Sequence, residues 1–374
     1  MTTTATDPLG RLSDRGVAVW LDELSREMIV DGTLERLVRD KHVVGVTTNP
    51  TIFATALGKD ACYDEQIRGL AERGANPDEA VRELTTEDVR MACDVLREVH
   101  ERTGGRDGRA SLEVDPRLAH DASGTVAEVQ RLREIVDRPN LLIKIPATDE
   151  GLSAIATAVG EGVSINVTLI FALDRYRAVM DAYMLGLETA AHRGIELAPI
   201  QSVASFFVSR VDTEVDPRLD RIGSAEARAL RGRIGLANAR LAYQAAEQVW
   251  AGERWRTLAE RGANVQRPLW ASTSVKDPSY PDAMYVAGLV APHTVDTMPM
   301  STLHAFDDHG TLEDEDPVRG GYDTAREEIA QLEQLGISYD EVTTLLERQG
   351  VEKFVKSWSG LRESVSGKLA EVRS

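Results

Sequence analysis

The chain of 374 residues is short of several things, and each shortage removes a class of protein. It has two cysteines, Cys62 and Cys93, both in apolar segments of helical spacing. Neither a disulfide framework nor a thiolate metal site is expected, and both thiols read as packing groups. Aromatics make up 5% while aliphatics are plentiful, a balance that fits neither a disordered nor a fibrous protein. No apolar run approaches the roughly 20 residues of a membrane helix. Met1 to Asp7 is Thr-rich and has no basic stretch leading into an apolar one, so no signal peptide is expected and the location reads as cytoplasmic. Positive charge is also scarce: 43 basic against 61 acidic side chains give −18. That field repels nucleic acid and anionic membranes, and an anionic small molecule would need a local basic pocket. Neither a glycine-rich phosphate loop nor a GxSxG elbow is present.

What the chain does have is alternation. Short β-branched runs at Val17–Asp22, Val43–Thr48, Ala110–Asp115, Leu141–Pro146, Ser164–Ile170, Ile200–Phe206, Pro268–Thr273 and Thr294–Met298 read as eight strands. Stretches of three-and-four apolar spacing, such as Thr125–Val136 and Asp174–His192, separate most of them. Alternating β and α elements predict a parallel sheet, and eight units predict a closed (β/α)₈ barrel. Pro50 to His100 reads as helices inserted after the second strand. Tyr322 to Val372 reads as helices packed after the eighth, and the acidic stretch Gly310 to Gly321 as a loop. One barrel domain is expected over 1–374, with a flexible tail at 1–10 and C-terminal helices over 322–374.

The chemistry gathers on the strands. Leu141-Leu142-Ile143-Lys144-Ile145-Pro146 places a lysine in an apolar strand. Burial favours the neutral amine, which attacks carbonyls to form an imine. A lysine that snorkels to solvent is an equal reading in isolation. In a barrel an outward lysine would meet packed helices, which favours the lumen. Glu113 and Asp115 share one face of the preceding strand. Glu113 is placed to shuttle protons beside the lysine, whereas Asp115, before Pro116, reads as a strand-end group binding loop donors. Asp22 ends the first strand, either on the face where barrel active sites form or as a helix cap.

Thr47 and Asn49 can bind hydroxyls, though Asn49-Pro50 also suits a turn. Asn166 and Thr168 share a face of an apolar strand and need partners there. Ser205, Phe207, Arg210, Ser272 and Lys276 lie at or just beyond the ends of the sixth and seventh strands. Arg210 and Lys276 together would supply the basic pocket a phosphate needs. The eighth strand offers His293 and Asp296. The seven histidines lack metal-ligand spacing and read as structural or surface groups, so no metal is assigned.

Gly45-Val46-Thr47-Thr48-Asn49-Pro50, Leu141 to Thr148 and Ile165 to Phe171 resemble the signature strands of the transaldolases. Leu21-Asp22, Leu112-Glu113-Val114 and Ser205 to Arg210 fit the same family in the same order. The likeness spans about residues 15 to 300, and the overall length and Trp270-Ala271-Ser272-Thr273-Ser274-Val275-Lys276 are similar to its longer bacterial form. The resemblance implies a class I aldolase-like TIM barrel with additional helices. It implies reversible transfer of a dihydroxyacetone unit from sedoheptulose 7-phosphate to glyceraldehyde 3-phosphate, as in the pentose phosphate pathway.

It further implies Lys144 as the imine lysine and Asp22 as the base for the C4 hydroxyl. Glu113 would act through a water held by Thr168. Asn49, Asn166, Thr47 and Ser205 would hold the three-carbon unit, Phe207 would wall it, and Arg210 would bind the phosphate. Shorter relatives carry an arginine just after the Ala-Ser of the seventh strand. Here Lys276 takes that part, with Ser272 and Ser274 beside it. No cofactor is implied, because the protonated imine is itself the electron sink. Sugar phosphates are the expected partners, bound by a monomer or a homodimer. Relatives that release dihydroxyacetone carry Tyr at Phe207 and Gln at Glu113, so these two residues favour transfer over a fructose-6-phosphate-type aldolase. A silent sugar-phosphate binder would have no need of Asp22, Glu113 and Lys144 together.

Overall fold

The computed structural model describes residues 7–59, 61–313 and 315–373. Eight parallel strands close on themselves in sequence order: β1 (Val17–Leu21), β2 (Val43–Val46), β3 (Arg109–Glu113), β4 (Leu141–Pro146), β5 (Ile165–Ile170), β6 (Ser202–Phe207), β7 (Gln266–Ala271) and β8 (Thr294–Met298). The fold is a (β/α)₈ TIM barrel, as its alternation predicts. β4 and β8 have the expected limits. The other six differ from the expected limits by one or two residues at an end; β2, for example, stops at Val46 although the Thr47 amide still donates to the Leu21 carbonyl at 2.8 Å. Of the tail expected at 1–10, residues 1–6 lie outside the described residues. Pro8–Asp14 is a helix, capped by Asp7, that buries Leu9 and Leu12.

Helices Pro50–Lys59, Asp64–Glu72, Pro77–Val95 and Arg97–Arg102 fill the long insertion after β2. The third of these starts where its sequence directs. Asn76 and Glu79 form a reciprocal capping box around Pro77, the first helical residue. The expected loop at 310–321 includes a 3-10 turn at Arg319–Gly321. Helices Tyr322–Gln334 and Tyr339–Arg373 follow it. Among the described residues, no helix is long and apolar enough to cross a membrane.

The lumen is a packed core, as in other small barrels. Trp20, Leu142, Val203, Leu269 and Val295 fill its middle. Below them, Arg267 Nη2 bonds Asp107 at 2.8 Å and the Arg106 carbonyl at 3.0 Å. A larger cluster joins the outer strand faces to the helices. The lumen leaves no room at Gly45, which pairs with Trp20 across β1 and β2. A Cβ there would stand 2.3 Å from Trp20 Cε2, inside the ring's own volume. Gly45→Ala should therefore cost about 3 kcal/mol of stability, since a buried indole cannot swing aside. Gly360→Ala, in the C-terminal helix where a Cβ meets nothing, should instead gain up to about 1 kcal/mol. Urea midpoints of the two variants test this; equal midpoints would refute the tight Trp20 packing.

The cysteines divide. Cys93 is buried as expected, its thiol pushed up to about 12 by burial. Cys62, expected to be buried, is exposed on a 3-10 turn. The local spacing that suggested packing does not continue into a long helix there.

Candidate active site

At the carboxyl end of the barrel, where the strand order of a TIM barrel leaves its loops open, lies a cleft of about 190 Å³. Its floor is set by strand register. Lys144 pairs with Glu113 of β3 on one side and with Asn166 of β5 on the other. Lys144 is 4% exposed, and its Nζ donates to the Thr48 carbonyl at 3.1 Å. The same Nζ stands 3.4 Å from Glu113 Oε2 and 5.6 Å from the centre of the Phe354 ring. The lysine thus faces the lumen rather than snorkelling out.

Burial pushes the Glu113 carboxyl up to about 7, against the pull of Lys144. Among the described residues, none is hydrogen-bonded to either of its oxygens or to Thr168 Oγ1. Burial also raises Asp22, with Lys144, the hydroxyl of Thr47 and Lys276 opposing. Thr47 Oγ1 donates to Asp22 Oδ1 at 2.8 Å and lies 2.9 Å from Thr297 Oγ1. Asp22 therefore belongs to the cleft; the cap of the next helix is Ser25. β5 carries a register shift, with Leu169 at φ 61°, which costs a leucine some strain.

A second polar chain runs beneath the cleft. Ser205 Oγ donates to Asn166 Oδ1 at 2.7 Å, and Asn166 Nδ2 donates to Ser111 Oγ at 3.1 Å. Asn49 serves as the turn its sequence suggested, with Oδ1 accepting from the Thr51 and Ile52 amides. It also lines the cleft. Asp115 caps the 3-10 turn Pro116–Leu118, as expected of a strand-end carboxylate.

On the far wall, Arg210 opens the helix Ser209–Ile222, and Lys276 Nζ donates to Ser274 Oγ. Ser272, at φ 58°, brings its hydroxyl within 3.0 Å of Ser209 Oγ. Burial lowers the Lys276 ammonium, and Arg210 lowers it further.

Asp22, Thr47, Asn49, Lys144, Thr168, Ser205, Phe207, Arg210, Ser272 and Lys276 all line this one cleft. Glu113 and Asn166 lie just below it, touching Lys144 and Ser205. The sequence reading missed Thr297, Lys353 and Phe354. Thr297 shares the lumen face of β8 with Val295, so strand period alone could have found it. Nothing in the sequence pointed to Lys353 and Phe354, which reach the cleft only because the helix Tyr339–Arg373 crosses the barrel mouth.

Asp296, the carboxylate offered by β8, lies on the opposite face from Thr297, with Thr273 Oγ1 donating to it at 3.0 Å. Burial pushes it up to about 7. A carboxyl raised in this way favours the fold at low pH and loses that advantage as pH climbs from about 4 through 7. Asp296→Asn escapes the loss. It should gain on the order of 3 kcal/mol over the parent at pH 8 relative to pH 5, measured by denaturant unfolding at both. A pH-independent difference would show that Asp296 is ionised throughout.

A larger depression of about 940 Å³ lies on the barrel flank, lined by Arg39, His42, Glu98 and Arg102 among others. It has no buried ionisable group comparable to Lys144 or Glu113.

Comparison with known proteins gives one answer. Residues 19–365 match the family described as Transaldolase/Fructose-6-phosphate aldolase. Transaldolase 2 of Streptomyces coelicolor is 57% identical over 98% of this chain and 98% of its own. Transaldolase 1 of Streptomyces avermitilis is 59% identical over 96% and 95%. The transaldolase of Thermobifida fusca is 59% identical over 97% and 98%. A barrel with a buried lysine held beside a carboxylate, matched along nearly its whole length, belongs to the transaldolase/fructose-6-phosphate aldolase family.

Proposed function

We propose that this chain is a transaldolase, acting on sugar phosphates in the cytoplasm without a bound cofactor. The observation that carries the reading is Lys144, buried on a lumen strand within 3.4 Å of a carboxyl raised to about 7. Its amine attacks C2 of a ketose phosphate, and loss of water gives a protonated imine. Glu113 moves the protons of that step and of the final hydrolysis. A water bridging Glu113 to Thr168 would satisfy Thr168 Oγ1 and one of the two unbonded Glu113 oxygens.

Asp22 takes the proton of the C4 hydroxyl. The C3–C4 bond breaks and its electrons pass into the imine. An aldose phosphate leaves, and the three-carbon enamine stays on Lys144. An acceptor aldehyde is then attacked by C3 as Asp22 returns the proton. Ser205 and Asn166, already linked, would orient the hydroxyls of the three-carbon unit. Asn49 would offer its NH₂, since its oxygen caps a helix. Phe207 and Phe354 would keep water from the enamine. Arg210 and Lys276, with Ser272 and Ser274, would hold the phosphate in an otherwise acidic protein.

The test is product analysis. Sedoheptulose 7-phosphate with glyceraldehyde 3-phosphate should yield erythrose 4-phosphate and fructose 6-phosphate. Fructose 6-phosphate alone should release little dihydroxyacetone. Steady release of dihydroxyacetone without an acceptor would make the chain an aldolase instead. Tight binding with no turnover would make it a silent sugar-phosphate binder.

A further inference from the structure

We infer that Lys353 is a third cation for the substrate phosphate, carried to the cleft by the C-terminal helix; the inference rests on the sugar-phosphate reading above. Arg210, Lys276 and Lys353 come from three separate segments and line one cleft. No described carboxylate forms an ion pair with any of them, although the chain carries −18 overall. Three like charges gathered with only Asp22, at longer range from Lys276, to oppose them repel one another, and an arriving dianion relieves that repulsion. Partial desolvation lowers the otherwise exposed Lys353 ammonium, and Arg210 and Lys276 lower it further, which places it within their field.

The helix segment that carries Lys353 is held on both sides of it. Leu346 and Phe354, on either side of it, pack in one cluster with Leu169 and Phe171. Gly350 lets the helix settle so closely on Leu169 that a Cβ would be 2.9 Å from its Cδ2. Farther along the helix, Ser357 Oγ lies 2.8 Å from Thr51 Oγ1, and Arg362 holds Asp78 at 2.6 Å. A lysine on a helix secured before and behind it is a positioned charge at the mouth. The ordinary alternative, a solvated helix-face lysine, would owe nothing to Arg210 or Lys276.

Lys353 is solvent-accessible, so Lys353→Met and Lys353→Gln should both fold, as circular dichroism will show. Calorimetric titration with inorganic phosphate, without sugar, reads binding apart from chemistry. Both variants should weaken phosphate about tenfold and raise KM for sedoheptulose 7-phosphate by a similar factor, with kcat within about twofold. Lys353→Arg should restore most of the affinity. If Arg210→Met weakens phosphate but Lys353→Met and Lys353→Gln leave it unchanged, the inference is wrong and the functional reading stands. If the parent protein binds no phosphate, the inference falls. Only if it also turns over no phosphorylated ketose does the reading beneath it fall.

Discussion

Lys144→Met should remove transfer activity by at least about 10⁴-fold while leaving the barrel folded. The loss is large because the other amines of the cleft, Lys276 and Lys353, lack the Glu113 partner that Lys144 has, and nucleophile removal in other covalent enzymes has effects of this order or more. Methionine keeps the length of the stem, so the packing of β4 survives. What it removes is the ammonium that bonds the Thr48 carbonyl and pulls down the Glu113 carboxyl. Without that pull the Glu113 carboxyl rises further. It then stays neutral at pH 6, where the variant should lose little stability. At pH 8 the cost should be greater, because an unpaired carboxylate would have to be buried. Turnover beside urea unfolding at both pH values checks each half. Activity within tenfold of the parent would exclude an imine on Lys144.

Asp22→Asn should slow transfer about 10³-fold and change what accumulates on the lysine. General-base removal costs about 10²–10⁴-fold in rate. Asparagine can still accept from Thr47, so the site keeps its shape. The imine should form, because Glu113 and Lys144 are untouched, but the C4 proton has nowhere to go. Borohydride reduction after incubation with fructose 6-phosphate should then trap a six-carbon adduct on Lys144. The parent protein should give a three-carbon adduct at the same residue. A three-carbon adduct in the variant, forming at the parental rate, would place the C4 base elsewhere.

The parts of this molecule that could be read from sequence are those where a residue conflicts with its local pattern. Lys144 in an apolar strand is such a conflict, as are Asn166 and Thr168 in β5, because a buried polar group must be explained by a partner or a task. Strand period then places Glu113 and Ser205 on the faces they occupy. Asp296 shows the limit of the method. Its burial against the helix layer is structural, while its neighbour Thr297 faces the cleft, and both are polar. Lys353 and Phe354 conflict with nothing locally. A lysine and a phenylalanine side by side suit any amphipathic helix, and which face meets the barrel mouth is decided by Gly350 against Leu169, far away in sequence. Cys62 departs from its expected burial for the converse reason: its apolar neighbours form a short 3-10 turn rather than a buried helix.

The helix Tyr339–Arg373 also bears on the order in which the molecule is made. The chain is made from its amino end, so β8 leaves the ribosome before Phe354 does. β8 closes the sheet at Met298, and by then Lys144, Glu113 and Asp22 can already be in place. Phe354 has not yet been synthesised, so a nascent barrel can meet a ketose with its lysine open to water. Any enamine formed at that stage would be hydrolysed instead of handed on. Competence to transfer would thus mature later than competence to cleave, and the delay would be the time the ribosome needs to reach and release that helix.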